Sequence, residues 1–130
     1  MIIIFFVFSL SCSNDVTKTG NSIDSKYAGK YSAVITRKYQ SSNIEDGRAT
    51  FTINNDGSVK GSVTYYGGLN PEYIELSKEY IVKISDNSYS AEINFIGLKK
   101  YKFTFNNNIL HLNIINEDNS ITSGQLIKSN

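Results

Sequence analysis

Apolar residues recur at every second position through most of the chain after residue 27, and short polar clusters interrupt them. Residues 49–53 read Ala-Thr-Phe-Thr-Ile, and residues 101–105 read Tyr-Lys-Phe-Thr-Phe. Successive side chains of a β-strand point to opposite faces of a sheet, so this alternation predicts strands with one apolar face. Asn55, Asp56 and Gly57 follow one such stretch and predict a tight hairpin turn, because Asp-Gly accepts positive φ angles. The pattern therefore predicts an all-β protein of antiparallel strands.

Eight strands at hairpin spacing predict an up-and-down barrel, which leaves no open sheet edge. A two-sheet sandwich is the alternative, because periodicity does not separate the two architectures. Residues 71–78 interrupt the alternation, and Asn70 and Pro71 are typical of a helix start, so we expect a short helix or an irregular turn there. The expected strands span residues 29–37, 48–54, 58–66, 79–84, 89–95, 99–105, 109–115 and 121–128. The expected core comprises Ala49, Phe51, Ile53, Val63, Ile93, Phe95, Phe103, Phe105, Leu110 and Leu112.

The first twelve residues predict export. Residues 2–10 read IIIFFVFSL, and Cys12, the only cysteine of the chain, follows Ser11. An apolar run of that length is too short to span about 30 Å of hydrocarbon as a helix, and it suits a signal peptide. We interpret residues 1–11 as a lipoprotein signal peptide and Cys12 as the lipid attachment site; an ordinary secretory signal with a chance cysteine is the alternative. Residues 12–26 are polar and predict a flexible tether, which leaves residues 27–130 as one β-barrel domain.

Three stretches resemble the small lipocalin-like lipoproteins of bacterial envelopes. They are Gly29-Lys30-Tyr31, the run TFTINNDGSVKGSV and the run KKYKFTFNNNILHLNI. The resemblance implies an eight-stranded barrel that binds a ligand and that is lipid-anchored in the cell envelope, with the outer membrane favoured and the domain outside the cytoplasm. It carries no catalytic residue onto this chain.

Composition excludes several kinds of chemistry. His111 is the only histidine, so neither a serine triad nor a zinc site of several histidines is expected. Glu72, Glu75 and Glu79 have the spacing of a solvated helix face rather than of a catalytic pair. The formal net charge of +1 gives no electrostatic reason to expect nucleic-acid binding. We therefore expect a monomer that is not an enzyme and that uses no cofactor or metal.

Tyrosines around the irregular connection are the candidate binding residues. Tyrosine combines an apolar ring with a polar tip, which suits pockets and protein interfaces. Two functions fit: a carrier that holds a small apolar ligand inside the barrel, or a protein-binding lipoprotein such as an inhibitor of a secreted protease or lysozyme. An open interior would favour the carrier, and a filled one would favour the inhibitor. The candidate residues are Tyr65, Tyr66, Tyr73 and Tyr80.

Overall fold

The computed structural model describes residues 22–68 and 70–130, which form nine β-strands and two short 3-10 turns. The 3-10 turns are Ser25–Tyr27, before the first strand, and Lys78–Tyr80, between the fourth and fifth. The strands are β1 (Gly29–Lys38), β2 (Ile44–Ile53), β3 (Val59–Tyr65), β4 (Glu72–Leu76), β5 (Ile81–Ser85), β6 (Ser88–Asn94), β7 (Leu98–Asn106), β8 (Ile109–Ile115) and β9 (Ile121–Lys128).

All nine strands belong to one antiparallel sheet that curls into a half-barrel. The order across the sheet is β4-β3-β2-β1-β9-β8-β7-β6-β5, so the first strand pairs with both the second and the last. Consecutive strands pair as hairpins everywhere except between β4 and β5, which are the two edges. The all-β, antiparallel prediction is confirmed. The predicted count of eight strands is wrong, and the strands form one sheet rather than the two of a sandwich.

The extra strand comes from the segment where we expected a short helix or an irregular turn. Ile74 and Leu76 alternate with polar neighbours and are both buried, so residues 72–76 pair with β3 as β4. The 3-10 turn Lys78–Tyr80 then shifts the phase of the alternation. As a result Ile81 is fully buried and Tyr80 is exposed. Pairing with β3 and burial of two apolar side chains outweigh the local helix-start signals, which stabilise a helix only weakly.

The concave face of the half-barrel is filled by one continuous hydrophobic cluster to which every strand contributes. The rings of Phe51 and Phe103 meet edge to face with centroids 6.0 Å apart, and Tyr101 stacks on Phe103. Ile93 of the predicted core is only partly buried and packs against the cluster. The prediction for Phe95 is wrong, since its side chain is 87% exposed. β6 ends at Asn94, and alternation no longer sets the direction of a side chain beyond the strand. The confirmed core residues are Ala49, Phe51, Ile53, Val63, Phe103, Phe105, Leu110 and Leu112.

The folded domain begins earlier than residue 27. Ile23 is buried in the core and its N–H donates to the carbonyl of Gly57. Tyr27 stacks on Phe105 with centroids 4.3 Å apart. Residues 22–26, which we assigned to the tether, are therefore part of the domain, because Ile23 packs in the core although its neighbours are polar. The signal peptide, Cys12 and the rest of the tether lie outside the described residues.

The two ends of the half-barrel differ in what they carry. The lower end holds the start of β1, the β2–β3, β5–β6 and β7–β8 turns, and the segment 22–28 that packs beneath them. The Tyr27 hydroxyl there donates to the carbonyl of Asp86. The upper end holds the β1–β2, β3–β4, β6–β7 and β8–β9 connections.

Candidate functional site

A groove opens at the upper end, between the edge strand β4 and the β6–β7 hairpin. β5 pairs with β6 only as far as Ala91, so the last residues of β6 have no strand on that side. β4 lies on the other side of the gap, and none of the described strands pairs with its outer edge. The cavity between them measures about 430 Å³. We call it the upper groove; its apolar lining is Tyr73, Ile74, Ile93, Phe95, Ile96 and Tyr101.

The rim of the upper groove exposes large apolar side chains close to one another. Phe95 is 87% exposed, Ile96 85% and Tyr73 81%. Single exposed apolar residues are ordinary on protein surfaces. Three that share one concave site form a patch, and such patches mark places where a ligand or a partner binds.

Charged side chains cross the mouth of the groove. The Lys99 ammonium lies 3.1 Å from Oε1 of Glu72 and 3.8 Å from Oε1 of Glu117. Glu72 belongs to β4, Lys99 to β7, and Glu117 to the β8–β9 turn, so this ion-pair cluster ties three parts of the upper end together. Two carboxylates against one ammonium leave the groove with one net negative charge. The site therefore favours a ligand with a cationic group.

Tyr101 forms part of the base of the groove. Its side chain is buried, and this burial, followed by the nearby Glu72 and Glu117 carboxylates, raises the pKa of its hydroxyl above the ordinary tyrosine value. The hydroxyl is therefore a neutral hydrogen-bond donor at physiological pH. No described residue makes a hydrogen bond to it. Because Tyr101 lines the groove, its hydroxyl can donate to a polar atom of a ligand bound there.

The four predicted tyrosines do not form one cluster. Tyr73 lines the upper groove, and Tyr66 is 65% exposed just after β3 at the same end. Tyr65 is buried, and its hydroxyl lies 2.6 Å from Oγ1 of Thr122, so it is a core residue. Tyr80 belongs to the 3-10 turn whose other residues line a surface groove with the β2–β3 turn, at the lower end.

Sequence reasoning missed most of the groove. Phe95 was assigned to the core, and Ile96, Lys99, Tyr101 and Glu117 were not among the candidate binding residues. The one available signal was the pair Phe95-Ile96 immediately before Gly97, since two consecutive apolar residues beside a turn cannot both point into a core. Which strands flank the groove depends on where β5 stops pairing with β6, which the alternation does not reveal.

A buried polar network supports the upper end beside the groove. Asn116 is buried, and its side-chain amide donates to the carbonyl of Ser120 and to Oγ1 of Thr122. Thr122 in turn contacts the Tyr65 hydroxyl, which links β9 to β3 across the concave face. These hydrogen bonds satisfy buried polar groups and hold the β8–β9 turn, which carries Glu117, in place.

Asp118 in the same turn has a pKa below its usual range. The Ser120 hydroxyl and the Ser120 backbone N–H both donate to its Oδ1, at 2.5 Å and 2.9 Å, and favour the charged carboxylate. Arg37 also pairs with Asp118 at 3.2 Å, and its Nε donates to Oγ of Ser120. The turn is therefore stabilised most when Asp118 is ionised.

A second concavity, of about 560 Å³, lies on the outer face of β7, β8 and β9. It is lined mainly by polar side chains of the solvent-facing side, among them Lys102, Thr104, His111 and Gln125. None of these four is buried. A solvated polar sheet face accounts for it, and the upper groove remains the better candidate.

Within the part of the chain that the structure describes, no group of histidine, cysteine and acidic side chains is arranged to hold a metal ion. None of the helices in that part is long and apolar enough to cross a membrane. No family model, characterised protein or solved structure matches this chain.

Proposed function

We propose that the chain is an envelope lipoprotein, held to a membrane by lipid on Cys12, that binds a protein partner non-covalently through the upper groove. The observation that carries the proposal is the contrast between the interior of the half-barrel and its upper end. Aromatic side chains fill the concave face, while Phe95, Ile96 and Tyr73 are left exposed around a groove at one end. A filled interior favours the protein-binding function over a carrier that holds its ligand inside.

The direction of the chain supports a partner away from the membrane. The described chain begins at the lower end, where Ile23 packs beside Gly57. A lipid on Cys12 would draw that end towards the bilayer, ten residues before Ser22. The upper groove, with Phe95 and Ile96, would then point into the surrounding compartment. Under this proposal these residues meet a protein there rather than the lipid surface.

The lipocalin-like resemblance remains part of the proposal. Pairing of β1 with β9 supports it, because an up-and-down barrel closes through its first and last strands. The ninth strand and the gap between β4 and the upper part of β6 are departures from the eight-stranded form. We propose no catalytic step, since the described part of the upper groove offers recognition groups without a nucleophile and base in contact.

A small apolar ligand in the upper groove is the second candidate. The volume of about 430 Å³ is in the range of small-molecule sites, and Ile74, Ile93 and Tyr101 give it an apolar lining. This version differs from the carrier expected from the sequence, because the ligand would lie at the edge of the sheet rather than in its interior.

Recovery of a partner by tagged protein tests the proposal. The protein is isolated from cells that make it, after mild cross-linking, as wild type, as the Phe95→Ser/Ile96→Ser double variant, and as Ile84→Ser. Ile84 is 56% exposed on β5 and does not line the groove, so it is a matched control. Burial of one apolar side chain at an interface contributes about 1.5–3 kcal/mol, and about 1.4 kcal/mol is already tenfold in affinity.

We expect one protein recovered with wild type and with Ile84→Ser, and at least tenfold less with the double variant. Equal recovery by all three would contradict the proposal. Native mass spectrometry of the same samples separates the two candidates: a retained small molecule that the double variant loses, with no protein recovered, would favour the small-ligand version.

A further inference from the structure

The two edges of the sheet run in the same direction. Antiparallel neighbours alternate in direction, and nine strands in a row therefore end on two edges, β4 and β5, that are parallel to each other. Only residues 77–80 join the end of β4 to the start of β5, so the two strands follow one another and do not lie side by side. Across the upper groove β4 faces the upper part of β6, and a strand added antiparallel to β4 would lie beside that part of β6.

The outer edge of β4 borders the upper groove. Glu72, Tyr73 and Ile74 line the cavity, and no strand of residues 22–68 or 70–130 covers β4 on that side. An uncovered edge presents unpaired backbone N–H and C=O groups, to which an extended peptide can add as a further strand. Side chains of such a peptide would contact Phe95 and Ile96 on the opposite wall of the groove.

The charged groups around the groove and the Tyr101 hydroxyl indicate which kind of segment binds there. Glu72 and Glu75 of β4 and the nearby Glu117 pair with only two ammonium groups of the described residues, those of Lys99 and Lys60, which leaves one carboxylate in excess. A second copy of this chain would bring its own acidic β4 edge, which makes self-pairing unfavourable. A segment with a lysine or arginine complements these charges. The Tyr101 hydroxyl offers a hydrogen bond that a peptide carbonyl can accept.

We infer that the upper groove takes an extended segment of a partner polypeptide, which pairs with β4 in the antiparallel sense and carries an apolar and a basic side chain into the groove. This inference rests on the proposed function and names the kind of partner. Main-chain hydrogen bonds to β4 hold the segment, and Phe95, Ile96, Glu72 and Glu117 select its side chains.

The test uses peptides selected from a displayed library of random twelve-residue sequences against the purified chain. Binding of the best peptide is measured for wild type, Phe95→Ser and the control Ile84→Ser. Each backbone amide of the peptide is then N-methylated in turn, and hydrogen exchange of the chain is followed with and without the peptide.

We expect binding to fall at least tenfold in Phe95→Ser and to be unchanged in Ile84→Ser. Methylation should abolish binding at every second position, because alternate N–H groups of a strand face the same neighbour. Exchange should slow in residues 72–76. Selected peptides should be enriched in Lys or Arg beside alternating apolar residues.

If peptides bind the groove but methylation shows no alternation, or exchange in β4 does not slow, strand addition is overturned and the proposed function stands. A library that yields no groove-dependent peptide would overturn it as well. Failure of the proposed function is a separate result, seen as equal recovery of partner by wild type and the Phe95→Ser/Ile96→Ser variant. Self-association that slows exchange in β4 would mean that the edge serves a second copy instead.

Discussion

Truncation of Phe103 to alanine removes a ring from the centre of the concave face. Phe103 has no exposed surface, and its ring contacts both Phe51 and Tyr101. Replacement of a buried phenylalanine by alanine costs about 3–5 kcal/mol, from lost burial and the cavity that remains. Loss of two aromatic contacts, at about 0.5 kcal/mol or more each, places the expected cost in the upper half of that range. A domain of this size is stable by about 5–15 kcal/mol, so the loss is a large fraction of the total.

Urea unfolding followed by tyrosine fluorescence or circular dichroism measures this cost. With a slope of about 2 kcal/mol/M, the midpoint of Phe103→Ala should fall by about 2 M. Phe95→Ala is the matched control, since it is the same chemical change at a side chain that is 87% exposed. It should change the free energy of unfolding by about 0.5 kcal/mol or less. Similar midpoints for the two variants would refute the assignment of Phe103 to the interior and of Phe95 to the surface.

Three further outcomes follow from particular residues. Cys12→Ser should move the protein from the membrane fraction to the soluble one, and an intact mass showing an uncut or unlipidated wild-type chain would contradict the lipid anchor. Because the folded-state pKa of Asp118 is lowered, its contribution to stability is present above the unfolded pKa of about 3.9 and is lost as the pH falls through the folded value. Asp118→Asn should therefore lower the urea midpoint at pH 7. At a pH below both the folded and the unfolded pKa of Asp118 the two proteins should have the same midpoint, and a difference that persists at that pH would refute the carboxylate as its source. Gly57 has φ +88°, and an added Cβ would lie 2.7 Å from the carbonyl oxygen of Ile23. Gly57→Ala should therefore lower the free energy of unfolding, measured in urea, by on the order of 1–3 kcal/mol. An unchanged midpoint would contradict the packing of the segment 22–28.

Alternation predicted the strands that have regular neighbours. The run 101–105 places Tyr101, Phe103 and Phe105 inward as expected, because both flanking strands are long and the pleat alone sets each side chain's direction. The same reasoning failed at Phe95, where the strand ends one residue earlier. It also failed at residues 71–78, where the choice between helix and strand depends on whether β3 has a free edge to pair with.

The candidate site was the least predictable part. Tyr73 was identified from its residue type, yet Tyr65 has the same type and lies in the core, bonded to Thr122. The groove exists because β5 pairs with β6 only as far as Ala91 and no described strand fills the space between β4 and the rest of β6, and this is a property of the whole sheet. A local pattern of residues contains no information on which edges remain open.

Photocross-linking in living cells tests the central claim, that the upper groove is the binding surface, most directly. p-Benzoylphenylalanine is placed at Phe95, on the rim of the groove, and at Tyr80, which is also exposed but lies at the lower end. We expect one discrete cross-linked protein from position 95 and none of it from position 80. The same product from position 80, or no protein product from position 95, would contradict the claim.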